Sequence, residues 1–512
     1  MKRHLLKFWE EDRSATLIGL LWLMVYPFLR SRNYTHLTRD KWEGMLVLTA
    51  VTLLVFCIGS ICCKKTGKDD TDNPRLSPGI LFAIAYFTWV GLSAVFGTLH
   101  TQRNESGSLA VLFGSKRYEG LITQLCYCVI FFAMARKKPN RKVIEIGCTL
   151  GLLLYGFIVF LQYAGYNPFG LFPEGLSVRT NPAFQGPIGN VDLASGYVVL
   201  MCGFLFAAFL QSHSEKWFCY ISALIGVFLE ACFDVQSGAV ALLTGIAVLL
   251  FQMLRAEELR YRIWLILAGV CGAYLVRSLV LFPWADDANG FAWAPFRWKQ
   301  GLLLIAFLLC GGMAARRKQN SGKVWSRRKM LVLCGFLLAA LVIFLFFLPV
   351  EETEGQNPGF LAQLQLTARG QGKDSFGSWR LGVWRMTCRL SREHLLFGTG
   401  PDTFWFAFNP AWEEYEAELY RAGAIEGALE NFDNPHNEYL AVLSNNGIPA
   451  LICYLALLIT VCTDAFTQRT GKLRKEAAAG VVLYGIQSCF SFSICLVAPM
   501  FWVVLGIAAE NE

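Results

Sequence analysis

LASGYVVLMCGFLFAAFL, residues 193–210, contains no charged side chain and no proline. A helix of about 20 apolar residues crosses a hydrocarbon core of about 30 Å, and in such a core every backbone N–H and C=O has to be satisfied within the protein. The stretch is read as a membrane-spanning helix. Comparable runs recur at approximately 15–29, 44–63, 79–97, 121–135, 143–165, 217–233, 237–254, 262–282, 299–314, 329–349, 437–462, 477–496 and 498–509. Composition agrees, since 55% of the residues are hydrophobic and 16% charged, against about 25% charged in soluble domains.

The expected fold is therefore an all-α polytopic membrane protein with about 12–14 transmembrane helices. Residues 1–349 would hold transmembrane helices 1–11, and 436–512 helices 12–14. Between them, 350–435 is the long polar interval, read as one large extracytoplasmic loop containing short helices. The run at 15–29 follows MKRHLLKFWEEDR without a small-residue cleavage site and is read as a retained signal-anchor. No internal repeat or low-complexity segment is evident.

Orientation follows from Lys and Arg, which concentrate in short cytoplasmic loops. The clusters RKKPNRK (136–142) and RRKQNSGKVWSRRK (316–329) both fall inside if the N-terminus is cytoplasmic, while Arg30, Arg32, Arg39 and Lys41 dissent. The protein is expected in the cell membrane, multi-pass, with both termini cytoplasmic. The net charge of +8 is then a product of topology, and no face is left for nucleic acid. Most of the 17 cysteines lie in apolar runs, as do Cys57, Cys126, Cys202 and Cys310, and only Cys388 is in the large loop. Without a C-x-x-C, neither a disulfide framework nor a zinc site is indicated.

Within the loop, Phe376, Trp379, Val383, Met386 and Leu390 recur at helical spacing, which predicts a helix over 375–396. Arg385, Arg389 and Arg392 form another face, read as a solvated or headgroup-facing ridge. Gly398 and Pro401 stop the helix. After an acidic stretch comes Asn434-Pro435-His436-Asn437, which puts a histidine at the outer mouth of the next span.

Three groups of residues in the second half resemble the O-antigen ligase and O-antigen polymerase family, bacterial membrane proteins that transfer lipid-linked glycans. They are Arg380-x-x-x-Trp384, Leu396-Phe397-Gly398-x-Gly400-x-x-x-Phe404, and His436-Asn437-x-Tyr439-Leu440 followed by Gly447-Ile448. Gly186-Pro-Ile-Gly189-Asn190-Val-Asp192-Leu-Ala194 resembles the family's Gly-Asn loop before a central helix, and Arg117-Tyr-Glu119-Gly120 resembles an outer Arg-x-x-Gly segment. The resemblance implies a GT-C-like fold, a polyprenyl diphosphate-linked glycan donor, an acceptor hydroxyl of unknown identity, and transfer without metal or cofactor. It also implies that the matching arginine contacts the diphosphate and the matching histidine acts near the acceptor or sugar.

The chemistry supports the same residues. When the anomeric C–O bond breaks, negative charge builds on the diphosphate, and arginine binds phosphate bidentately while staying charged. The acceptor hydroxyl gains from a base that takes its proton, a role suited to a near-neutral histidine. His436 and Arg380 are the catalytic candidates. Arg277, Arg117, Arg179, Asn190, Trp384, Asn437 and Tyr439 are candidates for binding the diphosphate or glycan, though Asn190 is equally placed to cap the helix that follows. Many family members carry Ser-Arg-Gly-Ala where this chain reads Gln236-Ser237-Gly238-Ala239. Arg277, toward the outer end of the following span, is the expected substitute, and Asp286-Asp287 is read as an ordinary loop pair. A flippase of lipid-linked glycans and a non-catalytic glycolipid-binding relative remain the alternatives.

Overall fold

Apolar runs fold as helices close to where the sequence marks them. The computed structural model describes residues 13–29, 31–65, 77–136, 138–211, 216–253, 260–282, 286, 291–319, 346, 350, 358–425, 429–467 and 470–510. In chain order, α1 (Arg13–Leu20) runs on through a π turn and a 3-10 turn to Phe28, followed by α2 (Leu37–Lys65), α3 (Pro78–Phe96) and the short α4 (Ala110–Phe113). Next come α5 (Leu121–Ala135), α6 (Arg141–Tyr163), α7 (Val191–Gln211), α8 (Trp217–Phe233), α9 (Gln236–Met253), α10 (Arg260–Leu279) and α11 (Trp298–Gln319). The polar interval contains α12 (Phe360–Ala368), α13 (Arg380–Ser391) and α14 (Phe404–Arg421). Then follow α15 (Glu438–Thr467), α16 (Lys472–Gln487) and α17 (Ala498–Ala509). Two antiparallel ribbons, β1 (Phe184–Gln185) with β2 (Gly189–Asn190) and β3 (Val280–Leu281) with β4 (Ala292–Trp293), are the strands among the described residues.

Among the described residues, seven helices are long and apolar enough to cross a membrane, and five shorter apolar helices accompany them. The chain is an all-α polytopic membrane protein. The run at 329–349 lies outside the described residues except for Phe346, as do residues 1–12 and most of the basic cluster at 316–329. Start signals act as the sequence suggests. Ser77 caps α3 through the Ile80 N–H, with Pro78 in the first turn, and Asn140 caps α6 through the Val143 N–H.

The central element is α7, enclosed by other helices along its apolar length. At one end of the bundle, Gln487 at the close of α16 donates its Nε2 to the backbone oxygen of Asp192 in the first turn of α7 (2.8 Å). At the other end, Glu476 near the start of α16 pairs with Arg141, which also reaches Glu145 at 2.9 Å, and Lys216 completes the cluster through Glu145. Both carboxylates are fully buried, so removing either cation would leave an uncompensated charge.

The expected span at 477–496 is corrected. α16 begins at Lys472 and stops at Gln487, and residues 488–497 are turns and coil. Side chains of neighbouring segments take over the backbone bonds a helix would have made. The Ser493 N–H donates to Glu438 (2.8 Å), the Cys495 N–H to Glu119 (2.6 Å), and the Cys489 oxygen accepts from Asn437 Nδ2 (2.8 Å). Such backbone survives at membrane depth because protein, not lipid, surrounds it. The loop helix expected over 375–396 is also shorter, because a tight turn with three left-handed residues, Gly377, Ser378 and Trp379, precedes Arg380.

The polar interval has its own small core. Val383, Phe404, Phe408 and Trp412 are buried together, with Trp379, Met386 and Leu390 packed on them. A seam of main-chain bonds joins this unit to α15. The Thr399 N–H donates to Ser444 O (3.0 Å), Gly400 to Asn445 O (2.9 Å), and Ile448 back to Leu395 O (2.8 Å). α15 kinks at Gly447, whose φ of 80° and ψ of 177° are open only to glycine. A Cβ there would lie 2.3 Å from Leu396 O, and one on Gly398 2.4 Å from the Asn445 carbonyl carbon. Gly447→Ala is therefore expected to destabilise by at least about 1–3 kcal/mol, visible as a lower midpoint of thermal unfolding in detergent. An unchanged midpoint would show that the seam yields without cost.

Candidate functional site

Arg380 opens α13, and the turn before it aims the side chain across to the bundle. Its Nη2 pairs with Asp192 Oδ2 at 3.0 Å. Asp192 is fixed by the start of α7, where Asn190 Oδ1 accepts from the N–H groups of Asp192 (2.9 Å) and Leu193 (3.4 Å). Asn190 thus caps the helix. One turn beyond Arg380, Trp384 Nε1 donates to Pro435 O at 2.9 Å, tying α13 to the segment that carries His436.

His436 sits in left-handed backbone, φ 48°, with its N–H donated to Asn434 Oδ1 at 2.8 Å. Asn437 caps α15 through the Leu440 N–H (3.0 Å), and Tyr439 Oη donates to Gly485 O (2.6 Å). These two residues lash the start of α15 to the end of α16. The imidazole meets the rings of Phe432 and Phe492 edge-on, at 6.2 and 5.1 Å between centroids. Its Nδ1 is buried and has no hydrogen-bond partner among the described residues.

Arg117 shares Phe492 with the histidine, its guanidinium lying 4.6 Å from the ring centroid. Asp433 holds it bidentately, at 2.5 Å from Nε and 2.8 Å from Nη2. Burial, then the charges of Arg380 and Arg117, push the His436 imidazole down to about 4, with Asp433 pulling the other way. The ring is neutral at pH 7 and available as a proton acceptor.

His436, Arg380, Arg117, Trp384 and Asn437 are thus drawn to one end of the bundle. Arg277 is engaged elsewhere, by Asp286 at 2.8 and 3.2 Å and by Val280 O at 3.0 Å. This corrects the reading of Asp286 as an ordinary loop residue, while Asp287 lies outside the described residues. Arg179 is exposed before the β1–β2 ribbon, and Arg385, Arg389 and Arg392 are exposed along α13 and just past its end. Arg385 pairs with Asp374.

Several acids escaped the reading of the sequence. Asp192 and Asp433 hold the two arginines, and both stand inside the quoted motifs or beside His436, which is the signal that could have found them. Near Arg117, Asp402 is buried and Glu119 half-buried. Asp402 accepts the N–H groups of Ser115 (2.8 Å) and Glu119 (3.1 Å), and burial pushes its carboxyl up to about 6. Burial pushes Glu119 up as well; it accepts from Tyr127 Oη at 2.9 Å.

Residues 297–455 match the O-antigen ligase family model. The match covers Arg380, Trp384, the Leu396–Gly400 motif, His436 and Gly447, and bears out the resemblance carried by those residues. Arg117, Arg179, Asn190 and Arg277 lie outside it. No curated protein matches the chain.

If the charge of Arg380 reaches His436, Arg380→Gln removes a repulsion and raises the histidine's pKa. NMR titration of ring-labelled histidine in the purified protein checks this. A His436 midpoint unmoved by the substitution would show that burial alone sets it.

Proposed function

We propose that this chain is a membrane glycosyltransferase that moves a glycan from a polyprenyl diphosphate-linked donor to an acceptor hydroxyl outside the cytoplasmic membrane, within cell-surface polysaccharide assembly. The single observation that carries the reading is the convergence of two arginines, Arg380 inside the segment matched to O-antigen ligase and Arg117 outside it, on one neutral, half-buried histidine within that segment. A diphosphate needs fixed positive charge and a hydroxyl nucleophile needs a base. Both are at one end of a lipid-embedded bundle.

Topology supports an outer location for that end. α6 runs from Arg141 to Tyr163, and Tyr163 Oη bonds Gln185 in the ribbon that leads into α7. RKKPNRK therefore sits at the end away from His436, and Lys and Arg in short loops favour the cytoplasm. Residues 350–435 then form the extracytoplasmic cap, and both termini lie inside.

Arg380 and Arg117 are held by carboxylates before any donor arrives, so their placement costs little reorganisation during the reaction. The diphosphate displaces Asp192 and Asp433 as their partner. Each contact at about 4 Å in an effective dielectric of about 20 is worth about 4 kcal/mol, and it strengthens as charge moves onto the leaving oxygen. His436 takes the acceptor proton, and a single displacement inverts the anomeric carbon. Donor charge also offsets the two arginines that depress His436, which makes the histidine a stronger base once the donor is in place. Trp384 and Asn437 position the histidine segment. In this scheme Arg117 supplies the second cation, and Arg277 with Asp286 braces the β3–β4 end of α10.

The test is transfer from labelled polyprenyl diphosphate glycan by the purified chain in proteoliposomes. Arg380→Gln and His436→Ala are each expected to lower the rate by about 10²–10³, and a chelator is expected to leave it unchanged. The acid limb of kcat should lie at higher pH than that of kcat/KM, since donor binding raises the histidine's pKa. Movement of intact donor across the bilayer without product would make the chain a flippase, and retention alone would make it a binder.

A further inference from the structure

Residues 488–497, SCFSFSICLV, carry no charge and form no helix, and among them Phe492 is 4% exposed. Its neighbour Ser493 is pinned twice, by its N–H to Glu438 Oε2 at 2.8 Å and by its hydroxyl to Tyr484 Oη at 2.6 Å. The Phe492 ring is thereby fixed in place, and three things meet on it. The His436 imidazole stands 5.1 Å away between centroids, at 87° between planes. The Arg117 guanidinium lies over the ring, 4.6 Å from its centroid. The third is a narrow polar cleft of about 70 Å³, lined by Phe492 and Asn434, both of which also contact His436. That volume is too small for a sugar but exceeds the roughly 10–15 Å³ that one water needs. Phe432, the other ring against His436, backs instead onto Phe408 and Trp412.

We infer that Phe492 is a positioning residue, a partition that keeps cleft water off the His436 imidazole and holds Arg117 on its ring when an anion draws Asp433 away. Asp433 is the guanidinium's bidentate partner, but as an anion it competes with a diphosphate for the same N–H groups. An aromatic face attracts a guanidinium through its quadrupole. It is also neutral, so a diphosphate does not displace it, and the ring still holds Arg117 beside the histidine once the donor is bound. The second role is dryness. Water at the imidazole would solvate its charged form and raise its pKa, and the ring stands between the cleft and the imidazole. The charges that face His436 are Arg380 from α13, Arg117 from the segment before α5, and Asp433 from its own stretch of chain. Glu119 and Glu438 lie on the cleft side, and 488–497 adds no charge. The part Phe492 plays in transfer rests on the proposed transferase reading, but the partition does not.

Three substitutions in the full chain separate the roles, read by NMR titration of ring-labelled histidine in lipid nanodiscs and by transfer in proteoliposomes. Phe492→Ala opens the partition. The His436 midpoint is expected to rise toward the ordinary value of about 6.5, carrying the acid limb of kcat/KM to higher pH. Phe492→Leu keeps an apolar wall and loses the aromatic face, so the midpoint stays low while KM for the donor rises about fivefold. Phe492→Tyr keeps the ring and is expected to restore both properties. If thermal unfolding shows that the alanine variant does not fold, Phe492→Val, which truncates less, takes its place. A His436 midpoint unmoved by truncation, or a donor KM in Phe492→Leu no higher than in Phe492→Tyr, overturns the inference. A raised midpoint in a chain that transfers nothing would remove only the transferase reading. Transfer with a midpoint unmoved by truncation would remove only this one.

Discussion

The structure depends on main-chain contact between two segments about fifty residues apart. Leu395–Gly400 and Ser444–Ile448 exchange backbone hydrogen bonds at 2.8–3.0 Å, and the exchange is possible only because Gly398 and Gly447 bring no Cβ into the seam. α3 joins the same junction, with Ser93 Oγ donating to Asn445 O at 2.9 Å and Trp89 Nε1 to Leu396 O at 3.0 Å. The polar interval is thereby fastened to the membrane bundle. Its small aromatic core then fixes α13, and α13 fixes Arg380 relative to His436. Two glycine motifs inside the segment matched to the O-antigen ligase family model thus have a mechanical reading: they fix an arginine relative to a histidine.

Charge is placed by the same economy. Each arginine near His436 has one carboxylate partner from a different segment, Asp192 from α7 and Asp433 from the stretch before α15. Such pairs gain little net stability when desolvated, but they hold the guanidinium groups in register beside a histidine that burial, and then the two arginine charges, keeps neutral. The opposite end of the bundle uses charge differently. Arg141, Lys216, Glu145 and Glu476 pair with one another and tie together α6, the start of α8 and α16. One network ties helices together, whereas the other holds two arginines beside His436.

The spans were legible because lipid imposes one requirement, internal satisfaction of the backbone, and apolar length reports it directly. The exception is 488–497. SCFSFSICLV has the composition of a span, yet most of its apolar residues face protein, and the N–H groups of Ser493 and Cys495 are met by Glu438 and Glu119. Composition records burial, not what buries a residue. Likewise Phe376 fits the helical period of α13 and is buried, although the chain there is a turn. The candidate site was partly legible, since Arg380, Trp384 and His436 stand in recognisable spacings. Asp192 and Asp433 were not, because their roles come from contacts 188 and 316 residues away. Arg277 had looked like a substitute cation, and its engagement by Asp286, nine residues on, is a matter of tertiary geometry.

The central claim is a direct displacement, with the leaving diphosphate held by arginines and the acceptor's proton taken by His436. The anomeric configuration of the linkage formed by the purified chain tests it most directly, read by NMR against the configuration in the donor. The account predicts inversion. Retention would require a covalent glycosyl-enzyme intermediate and would contradict it.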